Sequence, residues 1–361
     1  MNGTSEAGAD RLLDRFLAAG AIRIDPPILQ PAKILLDLYG EDIRARAYTV
    51  RDPREGEMML RPDFTMPVAR MHLETGGGSA RYAYAGKVFR IQEAGSDRPT
   101  EYDQAGFELF DGRNAAQADA EVFALFAEIL SPMGLRAATG DLGVLAAAIG
   151  GLATSPERKA ALMRHIWRPR RFRALLDRFG GRTSAPPSRV ALLERVAAGE
   201  DVLAAGGPVV GTRTEAEIAA RIAALAADAV EPPIAEAEVK LLDDILELRA
   251  RMPDALARLR EIAAKLPSIS DALALMEARM ESLAVKGVDV ATLEFEGSYG
   301  RTTLEYYDGF VFGFYAENRP DLPSVATGGR YDALTRVLGQ GREEPAVGGA
   351  IRPAMLAEIS E

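Results

Sequence analysis

The chain has 361 residues, enough for two or three compact units, and its 48% apolar content is ordinary for a globular protein. Its 43 basic residues fall short of its 53 acidic ones, a net charge of −10, which argues against a protein built to grip a phosphate backbone. Cysteine is absent and histidine occurs only at His72 and His165, so disulfide and thiolate chemistry are excluded and a zinc site is not expected.

No apolar run approaches the about 18 residues of a membrane span. The first residues, "MNGTSEAGADRLLDRF", lack the basic-then-apolar shape of a signal peptide. The expectation is a soluble, cytoplasmic protein with no membrane partner.

In chain order, apolar spacing predicts a helix over Ala9 to Ala19, stopped by Gly20. The prolines of "AIRIDPPILQ" keep that segment extended. "YTVRDPREGEMMLRP" reads as a hairpin around a Pro/Gly turn, and "DFTMPVARMHLETGGG" as a helix capped by Asp63 or Thr65 and ended by glycines. "YAGKVFRIQEAGSDRPTEYDQAGFELF" reads as two strands joined by a polar loop, with Arg90 closing the first and Gln104 and Glu108 on one face of the second. "NAAQADAEVFALFAEILSPMG" is an amphipathic helix.

From Asp141 to Ser282 the composition turns to Ala, Leu, Arg and Glu with Pro/Gly breaks near "SAPPS" and "AAGGPVVG", and predicts helices with little sheet. Strands return in "DVATLEFEGSYGRTTLEYYDGFVFGFYAE". "ATGGRYDALTRVLG" reads as a Gly-rich turn into a helix, and "PAVGGAIRPAMLAEIS" as a strand and a helix. A sheet domain interrupted by a helical insert is the simplest layout.

Four segments, in order, resemble the core of histidyl-tRNA synthetase, a class II aminoacyl-tRNA synthetase fold. "AIRIDPPIL" is similar to motif 1, whose strand lies at the dimer interface. "LRPDFT" resembles the family's amino-acid-binding turn "LRPEGT", and "FRIQ…RPTEYDQAGFE" resembles motif 2. "LEYYDGFVF" with "GGRYDAL" resembles the histidine-loop strand and its neighbouring turn. The resemblance implies an α+β fold: an antiparallel sheet flanked by helices, in two parts over 1–140 and 283–361, with a mainly helical insertion over 141–282. It implies a histidine pocket made of Asp63, Thr65, Arg90, Gln104, Glu108, Tyr306 and Tyr307. The chemistry of a free amino acid fits independently: carboxylates answer an ammonium or an imidazole N–H, and Arg90 offers a planar fork to a carboxylate. The residues alone fit plainer roles too. Arg90 and Glu108 can be an exposed cross-strand pair, the tyrosines sheet and core aromatics, and Asp63 a helix cap. Tyr306 and Tyr307 are consecutive, so on a strand only one faces the pocket.

The departures from the synthetase pattern bear on function. Motif 3 in synthetases reads like "GxGLERL", with an arginine that grips ATP; here the stretch is "VGGAIRPAML" and that position is Met355. A second arginine, which assists adenylate formation, aligns with Thr302, and Arg301 is one residue off, which on a strand points it to the other face. Motif 2 has Gln92 where the family has an acid. Activation spreads negative charge over phosphates and needs positioned cations. The chain also ends at Glu361, where histidyl-tRNA synthetases continue into an anticodon-binding domain.

This combination resembles the regulatory-subunit family of ATP phosphoribosyltransferase. That resemblance implies a non-catalytic subunit with no metal and no cofactor. It also implies a homodimer as the basic unit, a hetero-octamer with the short-form catalytic subunit, histidine as feedback effector, and no nucleic-acid partner. The competing readings are a divergent histidyl-tRNA synthetase or free-standing amino-acid adenylate former, and a dimeric scaffold with a vestigial pocket.

Overall fold

A computed structural model describes residues 2–33, 47–92, 95–96, 98–204, 213–302 and 306–360. Asp97, Leu304, Glu305 and most of "AAGGPVVG" lie outside the described residues. The chain divides into two compact units, one of residues 1–148 and 244–361 and one of Ile149–Asp243.

The first unit is α+β. Its strands are β1 (Ile22–Arg23), β2 (Leu29–Pro31), β3 (Thr49–Asp52), β4 (Gly56–Leu60), β5 (Ala80–Phe89), β6 (Glu101–Phe110), β7 (Arg136–Asp141), β8 (Arg249–Arg251), β9 (Glu294–Glu296), β10 (Phe310–Tyr315), β11 (Ala326–Arg330) and β12 (Ala346–Ile351). Nine of them form one sheet in the order β1-β5-β6-β12-β11-β10-β7-β9-β8, and β2-β4-β3 form a small second sheet. The large sheet is antiparallel except where β1 meets β5 and β7 meets β9.

Local chemistry explains most elements. The β3–β4 turn closes because Asp52 accepts from the backbone N–H of Arg54 and Glu55 while Gly56 takes a positive φ. Helix Ala115–Leu130 starts where Asn114 accepts from the Gln117 N–H at 3.1 Å. Its Phe123 and Phe126 pack on Phe310, Phe312 and Phe314, which alternate onto one face of β10. The first helix covers Asn2–Ala18, longer than its apolar spacing predicts, and buries Phe16 against Phe107 and Phe126.

The opposite face of the sheet carries glycine where side chains would otherwise stand. In register order these are Gly86 on β5, Gly106 on β6, Gly348 on β12, Gly329 on β11, Gly313 on β10 and Gly140 on β7. A Cβ at Gly106 would fall 2.3 Å from the Tyr84 hydroxyl, and one at Gly329 would fall 2.8 Å from the Tyr307 ring. Tyrosine side chains therefore occupy the space over bare backbone. This corrects the reading of "ATGGR" as a turn: it is strand β11, and its glycines mark close approach by rings on both faces, Phe312 against Gly328 and Tyr307 against Gly329.

Helices Met252–Ala263 and Ser270–Val285, read from sequence with the helical insertion, belong to the first unit. A buried charge network ties Ser270–Val285 there. Arg279 donates to Asp119 at 2.8 Å and to Asp141 at 2.8 Å, and Asp119 also holds Arg330 at 2.7 Å. The second unit, Ile149–Asp243, is helical among its described residues. Its centre is Arg158, which donates to Asp228 and to the carbonyls of Pro232 and Glu231.

Candidate functional site

Glu108 sits at the middle of the glycine-floored face and is fully buried. Its Oε1 accepts from the Thr65 hydroxyl at 2.8 Å and from Tyr84 at 3.1 Å, and its Oε2 accepts from Tyr331 at 2.7 Å. Burial pushes this carboxyl up to about 7, against the three hydroxyls that pull it down. Room for it comes from Gly348 directly across on β12, where a Cβ would fall 1.5 Å from Oε2. Tyr84 shares the face because it stands one pair along from Tyr82, the residue opposite Glu108. A stack fixes its ring: Phe64 lies 4.2 Å away in parallel, and the Arg61 guanidinium lies 3.9 Å over Phe64.

The turn 62–65 brings in Asp63 and Thr65. Asp63 is buried and accepts, at 3.4 Å, from the Met66 N–H at the start of helix Thr65–Glu74, so it caps the helix from just outside it. Burial raises its carboxyl above the usual range, and the Arg90 charge acts the other way. Thr65 does not cap; its hydroxyl is spent on Glu108. Arg90 follows β5 and fixes its Nε on the Pro62 carbonyl at 2.8 Å. Gln104 is buried on the same face as Glu108, opposite Gly86, and its Oε1 has no hydrogen-bond partner among the described residues.

Tyr306 and Tyr307 are both buried here. The alternation expected of a strand does not apply, because β10 begins only at Phe310. The two rings meet edge-on at 5.0 Å, and Tyr306 meets Tyr331 at 6.0 Å. Burial, then Glu108 and Asp63, hold the Tyr307 hydroxyl well above its usual range. All seven residues singled out from the sequence thus gather on one face. Sequence reasoning missed Tyr84 and Tyr331. The signals were present: Tyr84 shares the Glu108 face by even spacing and faces a strand glycine, and Tyr331 follows the paired glycines of β11.

One other reading changes. Arg301 lies in a turn after β9, not on a strand, so the opposite-face argument fails; its side chain is buried. His72 is buried on helix Thr65–Glu74, stacked 3.9 Å from Phe110, with Nδ1 3.2 Å from the Tyr82 hydroxyl. Met355 sits in the closing helix Pro353–Ser360. Among the described residues no cluster of His, Cys, Asp and Glu is arranged to hold a metal ion, and no helix is long and apolar enough to cross a membrane.

Chemically, this face offers acceptors to a small cationic group. The three hydroxyls donate inward to Glu108, so their remaining lone pairs point outward with a carboxyl behind them. Gln104 adds an unspent carbonyl oxygen. Arg90 supplies positive charge at the other end.

Comparison with known proteins agrees with this architecture. A family model described as histidyl-tRNA synthetase matches residues 3–231 and 214–356. An ATP phosphoribosyltransferase regulatory subunit of Sinorhizobium medicae is 34% identical over 371 residues, covering 94% of this chain and 93% of its own. The one from Agrobacterium fabrum is 32% identical over 364 residues, covering 94% and 93%. A crystal structure from Bacillus halodurans, described as an ATP phosphoribosyltransferase regulatory subunit/histidyl-tRNA synthetase, superposes with a TM-score of 0.68 at 21% identity, covering 100% of this chain and 80% of that one. The fold is that of the histidyl-tRNA synthetase core, the class II α+β architecture. Within that class, the chain belongs to the family of ATP phosphoribosyltransferase regulatory subunits.

Proposed function

We propose that this chain performs no catalysis of its own and binds free histidine on the Glu108 face. In this reading it serves a short-form ATP phosphoribosyltransferase catalytic subunit in the cytoplasm, forms a hetero-octamer with it, and carries histidine feedback to it. The pocket is Asp63, Thr65, Arg90, Gln104, Glu108, Tyr306 and Tyr307, with Tyr84 and Tyr331 added. The observation that carries it is the buried, unspent Gln104 Oε1 beside a carboxyl ringed by three hydroxyls. A buried acceptor left open is costly unless a ligand donor meets it. An ammonium or an imidazole N–H is such a donor, and histidine carries both. Met355 and Thr302, in place of cations that would answer developing phosphate charge, favour sensing over activation.

Titration calorimetry with histidine should show saturable binding to the isolated chain. The same preparation should show no histidine-dependent ATP–pyrophosphate exchange above a protein-free control. Exchange above that control would make the chain an adenylate-forming enzyme instead. No heat with histidine would leave the pocket vestigial. Co-purification with the short-form catalytic subunit tests the partner.

A further inference from the structure

Four arginines of the second unit are answered by carboxylates: Arg158 and Arg189 share Asp228, and Arg173 and Arg182 share Asp243. Three others are not. Arg164, Arg213 and Arg221 make no ion pair among the described residues, yet they line one cavity of about 440 Å³ together with Glu217 and Ile218. They reach it from separate parts of the chain. Arg164 ends helix Pro156–Arg164, and Arg213 stands just before Thr214, the cap of helix Glu215–Val230. Glu217, Ile218 and Arg221 share a face of that helix, because residues three and four apart are neighbours. The one acid in the cavity is already engaged: Glu217 Oε2 accepts from the Thr214 N–H at 2.7 Å and from its hydroxyl at 3.0 Å, as a capping box requires. No further acid stands close in sequence on either side. The segment "VLAAGGPVVGT" before Arg213 has none, and residues 164–189 carry eight arginines against Asp177 alone. That is a local basic surface in a chain of net charge −10.

We propose that Arg164, Arg213 and Arg221 form a binding site for the phosphate chain of a small polyphosphate, either free or carried by a nucleotide. Three guanidiniums against one carboxylate leave two positive charges facing one space. A single carboxylate ligand would answer only one of them, whereas linked phosphoryl groups bring several negative charges in one small molecule. The planar guanidinium fork matches phosphate oxygens in pairs. Size agrees. A water takes about 30 Å³ of liquid, so the cavity has room for more than one phosphoryl group. Ile218 is the one apolar residue of the lining, which leaves little surface to read a base. The site should therefore grip the phosphates and be indifferent to the nucleoside. All three arginines are exposed, so a ligand reaches them from solvent. Every residue involved belongs to the second unit, and the site is independent of the histidine reading.

The test is titration calorimetry of the full chain, at fixed ionic strength and without divalent cations, using tripolyphosphate, ATP, GTP and inorganic phosphate. Tripolyphosphate, ATP and GTP should bind saturably with similar affinities, and inorganic phosphate at least about tenfold more weakly. Arg164→Gln and Arg221→Gln should each weaken tripolyphosphate by about fivefold or more. Arg170→Gln removes an exposed arginine that does not line the cavity, and should leave affinity within about twofold of wild type. Glu217→Gln keeps a capping-box residue while removing the competing charge, and should tighten binding. That gain cannot come from a misfolded chain, so it decides the matter should an arginine variant fail to fold. A wild type that binds no tripolyphosphate would overturn the proposal. So would an equal loss in Arg170→Gln, which would mean a diffuse field and no site. Inorganic phosphate as tight as tripolyphosphate, or ATP bound and GTP not, would overturn the phosphate-chain assignment. An RNA oligonucleotide that binds more tightly than tripolyphosphate and weakens with the same variants would give the surface to nucleic acid and overturn it as well.

Discussion

Glu108 sets the behaviour of the site at the scale of single residues. Its carboxyl is pushed to about 7 by burial, above the usual glutamate value of 4.5. A raised acid favours the folded state below the unfolded value, and that contribution is lost as pH rises through the folded one. Stability of the free protein should therefore fall between pH of about 4.5 and about 7, by about 3 kcal/mol from this group. Asp308, also pushed to about 7 by burial and then by Asp332, adds a fall of the same sign. Urea melts at the two ends of that window check the direction, and Glu108→Gln should flatten part of the slope. The same substitution keeps the shape and removes the charge behind the hydroxyls. It should weaken histidine binding by about 1–3 kcal/mol, roughly 5- to 150-fold. Wild-type affinity should rise as pH rises through about 7 more steeply than that of Glu108→Gln. Equal affinities and parallel pH profiles would separate Glu108 from ligand reading altogether.

At the scale of elements, the instructive contrast is between what alternation reveals and what tertiary contact decides. The shared face of Gln104 and Glu108 follows from period two, and the β3–β4 hairpin from its turn residues, so both were legible. The glycines of β11 were not, because a strand glycine and a turn glycine look alike until the ring that displaces the side chain is known. The tyrosine pair misleads for the opposite reason: alternation governs strands, and 306–307 precede one. The place of helix Ser270–Val285 was also hidden, since its composition matches the helical stretch before it while a single buried Arg279 ties it to Asp119 and Asp141. That tie should be measurable. Arg279→Leu leaves Asp141 buried without its ion pair and should cost about 3–5 kcal/mol in urea denaturation. Adding Asp141→Leu should recover much of the loss, because replacing both partners removes the stranded charge. A single variant as stable as wild type would mean the network is slack.

At the scale of the whole molecule, the question is what covers the motif 1-like segment. β1 is an edge strand of the large sheet, and its Ile22 is 64% exposed. Ile28 and Leu29, after the two prolines, are 45% and 40% exposed, and Val50 on β3 of the small sheet is exposed as well. An open edge with apolar side chains is a template for pairing with another chain. The resemblance of "AIRIDPPIL" to motif 1 gives that pairing a two-fold form, in which the same patch serves both copies. The isolated chain should therefore be a homodimer at micromolar concentration by light scattering. Ile22→Asp combined with Ile28→Asp should shift it toward monomer. Because both side chains face solvent within one chain, the doubly substituted monomer should keep its circular dichroism spectrum. A wild type that scatters as a monomer would refute the interface. A doubly substituted chain that stays dimeric would move the interface to another surface.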